Sequence, residues 1–244
     1  MIVLSVGMPR AGSGWYYNLN HDLLVATGYQ DAHEIRRCYH LEKILTEVNC
    51  NIGALTARRL LPILLPAFLG KTFAIKAHAA PKPLALFLIR FGVILPTYIY
   101  RDPRDAMLSA FENGERARQN GRENAFSHLT SFEITLDFMC EYVRIWEQWM
   151  ACNQAMHVRY EDLLVDYDGQ AARLVDFLGL KMTPAIQAVL DRYRPEQVQS
   201  TDQQGLHFRK GKIGRFRQVF TTEQQQACLE TFGPYLKQMG YELE

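Results

Sequence analysis

The sequence predicts an α/β fold in which a central parallel β-sheet is flanked by helices, and three observations carry that expectation. An apolar run at residues 2–6 ends in Gly7, and a glycine-bearing loop to Gly14 then gives way to Leu19, Leu23, Leu24 and Ala26 at helical spacing. Two further continuous apolar runs, Thr72 to Ile75 and Ile94 to Tyr100, read as strands buried on both faces. Helical patterns alternate with these strands, which implies right-handed crossovers and parallel pairing.

Taken in order, the chain begins directly in its first strand, with no basic leader or small-residue cleavage site, so no signal peptide is expected. Ser13 is the expected N-cap of the first helix and Gly28 its stop. The most apolar stretch, Leu60 to Leu69, contains Pro62 and Pro66 and is about half the ~20 residues a membrane-spanning helix needs. It reads as core or as a lid over an apolar cleft, with peripheral membrane contact as the lesser alternative. The second strand runs into Lys76-Ala77-His78 and the third into Arg101-Asp102-Pro103, both taken as functional loops. A long helix is expected from Ser131 to Cys152, with Ile134, Phe138, Tyr142, Ile145 and Trp149 as its core face. Met156 to Tyr160 reads as a fourth strand, followed by a helix over 168–177 that Gly179 stops. Thr183-Pro184 opens another helix by N-cap and N1 proline. Residues 194–218 suggest a long loop, and Thr222 to Met239 a final helix. With no repeat, low-complexity tract or linker, residues 1–244 are expected to form a single domain.

Apolar residues make up 48% of the chain and charged ones 22%, as in ordinary globular proteins. Lys plus Arg number 27 against 26 acids, a formal charge of +1, so no general basic surface argues for nucleic acid, and any anion site must be local. Cys38, Cys50, Cys140, Cys152 and Cys228 are odd in number and form no C-x-x-C pair. That speaks against a disulfide framework or zinc knuckle and points to a reducing cytoplasm. Histidines 21, 33, 40, 128, 157 and 207 make no H-x-x-x-H pair on a helix, so no metal is assigned.

In open parallel sheets ligands lie beyond the carboxyl ends of the strands, and Arg10, Lys76, His78 and Arg101 all follow strand ends. The Gly7–Gly14 loop frees backbone N–H groups at a helix N-terminus, where phosphate is the natural guest. Gly7 and Gly12 have the spacing of an ATP-binding loop, but Ser13-Gly14 stand where Lys-Ser or Lys-Thr would be required, which argues against nucleotide triphosphate hydrolysis. Between His207 and Gln218 lie Arg209, Lys210, Lys212, Arg215 and Arg217 with no acid among them. Such a run is either a solvated basic loop or a cluster held together by an anion.

The motif "MPRAGSGW" (8–15) resembles the phosphosulfate loop of the sulfotransferases that use 3'-phosphoadenosine 5'-phosphosulfate (PAPS), and three further segments match that family in order. "IKAH" (75–78) is similar to its K-x-H segment. "YRDPRDAMLS" (100–109) is similar to its 3'-phosphate motif, an Arg followed eight residues later by Ser. "FRKGKIGRF" (208–216) is similar to its Arg-Lys-Gly loop. The resemblance spans residues 7 to 217 and implies a P-loop-like sulfotransferase fold and transfer of a sulfuryl group to an acceptor hydroxyl or amine, with no metal required. By the same resemblance, Arg10, Ala11, Gly12, Ser13 and Gly14 would hold the 5'-phosphosulfate, with Trp15 stacked on adenine and Tyr160 beside it. Arg101, Ser109, Arg209, Lys210 and Gly211 would hold the 3'-phosphate. His78 would be the general base, with Arg10 and Lys76 balancing charge on the transferred group.

Four positions depart from the family pattern. Arg10 replaces the usual lysine, Arg215-Phe216 replace the usual Asp-Trp, and Gln226 replaces the final acid of a dimerisation motif that retains Thr221, which leaves homodimer and monomer both open. The acceptor stays open among phenols, lipids, sugars and other small molecules, with 29–70 and 112–130 as the expected substrate-facing segments. A small-molecule kinase on a P-loop fold and a non-catalytic nucleotide-binding protein are the rival readings.

Overall fold

The protein is described here by a computed structural model over residues 1–198 and 211–243. The chain runs β1 (Ile2–Gly7), α1 (Ser13–Ala26), α2 (Ala32–Cys38), α3 (Ala57–Phe68), β2 (Phe73–Ala77), α4 (Pro83–Arg90), β3 (Ile94–Tyr100) and α5 (Pro103–Gln119). It continues with α6 (Phe132–Met150), β4 (Met156–Arg159), α7 (Tyr160–Val165), α8 (Tyr167–Phe177), α9 (Pro184–Arg192), α10 (Pro195–Val198), α11 (Phe216–Val219) and α12 (Thr222–Met239).

The four strands form one parallel sheet in the order β2-β1-β3-β4. Every residue of β1 is buried, as expected of an apolar central strand covered on both faces. The chain leaves β1 toward β2 on one side and returns to β3 on the other, so the strand order reverses between β1 and β3. At such a switch point the crossovers diverge and open a crevice beyond the strand ends. The loop after β1 and Arg101 after β3 stand at that crevice.

Several expectations change in structure. Gly12, at φ 73°, is the N-cap of α1 and makes no side-chain cap, while Ser13 is the first helical residue. A side-chain cap from Ser13 would have occupied an amide of the first turn, and no such cap is made. The loop expected at Arg101-Asp102-Pro103 is short: Arg101 and Asp102 join β3 to α5, Asp102 caps the helix by accepting from the Arg104 amide, and Pro103 sits in its first turn. The core face of α6 keeps Ile145 and Trp149 of the expected stripe and adds Thr135, Met139, Val143 and Trp146, whereas Ile134 is 43% exposed, and Phe138 and Tyr142 border a cavity. The terminal helix keeps its expected bounds, with a capping box between Thr221 and Gln224.

Candidate functional site

A cavity of about 580 Å³ opens at the crevice, bordered by residues from every strand end. Its floor is the turn after β1. Arg10 adopts φ 64°, rare for a residue with a side chain, and Arg101 Nη1 donates to the Arg10 carbonyl at 3.4 Å, which helps hold the turn. Gly12 satisfies two demands at once: a positive φ, and an approach so close to Tyr160 that an added Cβ would sit 2.7 Å from its ring. The Ser13 and Gly14 amides belong to the first turn of α1, where no intrahelical acceptor exists, and both residues border the cavity. Partial positive charge of the helix end therefore faces the cavity.

From β2 come Lys76 and His78. Lys76 is 4% exposed, and burial, assisted by the nearby Arg10 cation, lowers its pKa to about 8. An ammonium held so reluctantly is stabilised by any anion that enters. His78 Nδ1 lies 2.6 Å from the Gly7 carbonyl. A carbonyl can only accept, so Nδ1 donates to it, and in the neutral ring the lone pair then sits on Nε2. The segment after His78 is steadied by Trp149 Nε1, which donates to the Ala79 carbonyl at 3.0 Å.

The third wall joins distant parts of the chain. Arg101 is buried and spans two neighbours with one nitrogen: Nη2 donates to the Lys212 carbonyl at 2.8 Å and to Asp105 Oδ2 at 3.2 Å. Asp105 also accepts from the Gly214 amide at 2.7 Å and the Phe216 amide at 3.1 Å, so one buried carboxylate fastens residues 214–216 to α5. Phe216 is buried beneath Arg104, whose guanidinium lies 4.1 Å from the ring centre, and Arg215 pairs with Glu112. The Arg215-Phe216 departure thus has its own packing solution. Ser109 Oγ accepts from Arg10 Nε at 3.2 Å, linking the β1 turn to α5. Gly114 lets the segment around Phe126 lie on α5, because an added Cβ would collide with the Phe126 carbonyl.

The structure brings Arg10, Gly12, Ser13, Gly14, Lys76, His78, Arg101, Ser109, Tyr160 and Gly211 to the border of this one cavity. Two expected residues are turned away from it. Ala11 is fully buried and its amide donates to the Met8 carbonyl at 3.2 Å, so that N–H is consumed inside the turn. Trp15 is fully enclosed: Tyr167 stacks on it at 6.2 Å, Tyr160 meets it edge to face, and its Nε1 donates to the Tyr193 carbonyl at 2.9 Å. Among the described residues its neighbours are the Tyr160 and Tyr167 rings and the Tyr193 carbonyl. Arg209 and Lys210 lie outside the described residues. Sequence reasoning missed Asp105; its position four residues after Arg101 on a helix was the available signal. It also missed Phe138 and Tyr142 as cavity residues, because periodicity cannot tell a face against the core from one against a cleft. The cavity's remaining border includes Thr46, Asn49, Asn51, Asn113 and Phe126, from the two segments expected to face substrate.

Comparison with known proteins agrees with this geometry. The family model for the sulfotransferase domain matches residues 76–240. Among solved structures, a mouse sulfotransferase complexed with PAP superposes with a TM-score of 0.63 at 18% identity, covering 97% of this chain and 84% of that one. A retinol dehydratase in complex with androsterone and the inactive cofactor PAP gives 0.60 at 20% identity, covering 97% and 80%. The same kind of protein in a complex with retinol and PAP gives 0.60 at 21%, covering 97% and 81%. At such identities these likenesses establish the fold. No curated protein sequence matches the chain.

Proposed function

The chain belongs to the sulfotransferase family, and from that membership we propose that residues 1–244 act as a single PAPS-dependent sulfotransferase domain whose catalytic base is His78. The observation that carries this reading is the bond from Arg101 Nη2 to the Lys212 carbonyl, which joins the Arg-x₇-Ser segment to the chain just beyond the Arg-Lys-Gly motif at the rim of the β1 turn. Two anion-binding regions then share one cavity, as a nucleotide phosphorylated at both ends requires.

The residues present fit such a molecule. Arg101 Nε is buried without a hydrogen-bond partner among the described residues, a donor that a phosphate oxygen would satisfy. The first turn of α1 offers amides to a second phosphate. PAPS, when bound, supplies the sulfuryl group and a bisphosphorylated adenosine as leaving group. In our reading the backbone amides of Gly12, Ser13 and Gly14 orient its 5' end, and Arg101 with Ser109 its 3' end. Arg10 and Lys76 balance the charge that develops between sulfur and the departing phosphate. His78 Nε2 takes the proton from the acceptor hydroxyl as its oxygen attacks, while Nδ1 stays fixed on Gly7. Arg10, an arginine where the family has lysine, keeps its proton and acts by position and charge.

Phe126, Phe138 and Tyr142 give the acceptor side of the cavity an apolar, aromatic border interrupted by asparagines. That lining suits a small amphiphile with one reactive hydroxyl better than a polysaccharide. The androsterone and retinol held by the structural neighbours are of that kind. Localisation in the cytoplasm accords with the free cysteines. Calorimetric titration with adenosine 3',5'-bisphosphate against ATP tests the donor assignment. Binding of the bisphosphate without magnesium, with ATP much weaker, is expected; preference for magnesium-ATP would favour the kinase reading. A mass-spectrometric screen of alcohols and phenols with PAPS then identifies acceptors, and a bound nucleotide with no sulfated product would leave a non-catalytic binder.

A further inference from the structure

Helices α3 and α4 present an apolar surface that the fold does not use. On α3, Leu60, Ile63, Leu64 and Ala67 are buried, whereas Leu61, Leu65 and Phe68 are 59%, 56% and 69% exposed. The exposed set recurs at three and four residues and forms a second apolar stripe on the same helix. Leu69 continues it at 61%. α4 packs beside α3 and adds Leu86, Phe87 and Phe91, the two phenylalanine rings 4.7 Å apart and 57% and 65% exposed. Scattered single apolar residues on a surface are ordinary; two adjacent helices that, together with their C-cap residues, expose seven large ones are not.

The charges carried by this stretch of the chain are of one sign. Residues 48–101 contain no Asp or Glu, in a chain with 26 acids among 244 residues. Of the cations in that stretch, Lys76 and Arg101 are buried at the cavity, and Arg59 is hydrogen-bonded to the Ile44 and Ile52 carbonyls. Arg58, Lys82 and Arg90 remain exposed and Lys71 partly so. No helix among the described residues is long and apolar enough to cross a membrane, and α3, at 12 residues, is well short of that length.

We propose that the α3–α4 face docks on an anionic lipid bilayer, lying in the interface with its leucines and phenylalanines among the acyl chains and its lysines and arginines at the headgroups. A second copy of this chain fits the face less well, because two-fold pairing would set cations against cations with no carboxylate from either helix to neutralise them. The chain leads from the cavity border at Asn51 into α3 and from His78 into α4, so docking anchors the wall of the cavity beside the bilayer. The proposal does not depend on the reaction assigned above, and its test reads lipid binding alone.

The test is flotation of the full chain with phosphatidylcholine vesicles, with and without a substantial phosphatidylglycerol fraction. Binding to the anionic vesicles is expected, with each of Arg58, Lys82 and Arg90 adding roughly fivefold to partitioning and raised salt weakening it. The double variant Leu65→Glu/Phe68→Glu is expected to lose binding by tenfold or more at roughly that order. Both positions are exposed, and an unchanged melting temperature would show that the variant is folded; Arg58→Glu/Arg90→Glu gives an independent arm if it is not. Val165→Glu, at an isolated residue 76% exposed, should bind as the wild type does. The proposal is overturned if the wild type ignores anionic vesicles, if neither double variant weakens binding, or if sedimentation reveals a wild-type dimer that Leu65→Glu/Phe68→Glu dissolves without any vesicle binding.

Discussion

The turn after β1 and the wall formed by Arg101, α5 and residues 211–216 both gather positive charge at the carboxyl end of the sheet, by opposite means. The turn is made of backbone: glycine conformation, a helix end and uncapped amides. The wall is made of side chains, with the Arg101 guanidinium held by one buried carboxylate that also binds two amides from a segment more than a hundred residues away. The difference teaches where each region is fragile. A backbone site tolerates changes of side chain that leave its torsions alone, and fails when a Cβ is added. A side-chain site keeps its fold when its chemistry is altered and fails when one partner is removed.

Four measurements would break or sharpen that contrast. The largest effect is expected at His78, whose ring is oriented by the backbone turn. His78→Ala should lower kcat by about 10²–10⁴-fold while adenosine 3',5'-bisphosphate affinity stays within a few-fold; equal losses in both would make His78 a binding residue. Next is Gly12→Ala, which meets a positive φ and the Tyr160 ring together. It should destabilise the fold by roughly 1–3 kcal/mol and abolish nucleotide binding, read by denaturant melts and calorimetry. If Ala is tolerated, the turn is not the rigid cradle described here.

Asp105→Asn should behave differently. It keeps the shape but places an amide donor where two backbone N–H groups and Arg101 converge, so nucleotide affinity should fall roughly 10–100-fold, at the cost of about 2–3 kcal/mol that charged hydrogen bonds contribute. Hydrogen exchange should rise over 211–216 more than elsewhere; uniform exchange would mean that the carboxylate does not anchor that segment.

The effect confined to the narrowest conditions is the alkaline pH response of Lys76. Its pKa is lowered to about 8 by burial, below the unfolded value of 10.5. Below pH 8 both states are charged and the desolvation cost is fully present. Between about 8 and 10.5 the unfolded chain binds more protons, so stability rises with pH, by an amount on the order of 3 kcal/mol across the window. Nucleotide affinity should move the opposite way, weakening as the ammonium is lost above pH 8. Lys76→Met should remove both slopes relative to the wild type, and parallel pH profiles for the two proteins would contradict the assignment.

Legibility in the sequence followed the same division. The β1 turn could be read directly, because a strand, a glycine loop and a helix are contiguous and each obeys a local rule. The end of α1 at Gly28 and the whole of α12 were legible for the same reason. The other wall was legible only as fragments. Arg101 and Ser109 were found by resemblance to a motif, whereas the helix that begins at Pro103 and carries Ser109 was not assigned. Asp105 escaped notice because its value lies in partners at Gly214 and Phe216. The packing of Trp15 was illegible for a related reason: the sequence places it beside the turn, but nothing local says that Tyr167 and the Tyr193 carbonyl will enclose it.

What the sequence determined by itself was the set of parts: four apolar strands, the glycine turn that only residues without a Cβ can make, and an excess of cations at the strand ends. These follow from short-range sterics and periodicity, which act within a few residues. Tertiary structure alone decided which side of α6 faces a cavity, which amides Asp105 fastens, which nitrogen of His78 holds the proton, and that α3 turns half of its leucines outward. Each of those depends on contacts between segments far apart in the chain, and such contacts exist only once the sheet has brought its strand ends together.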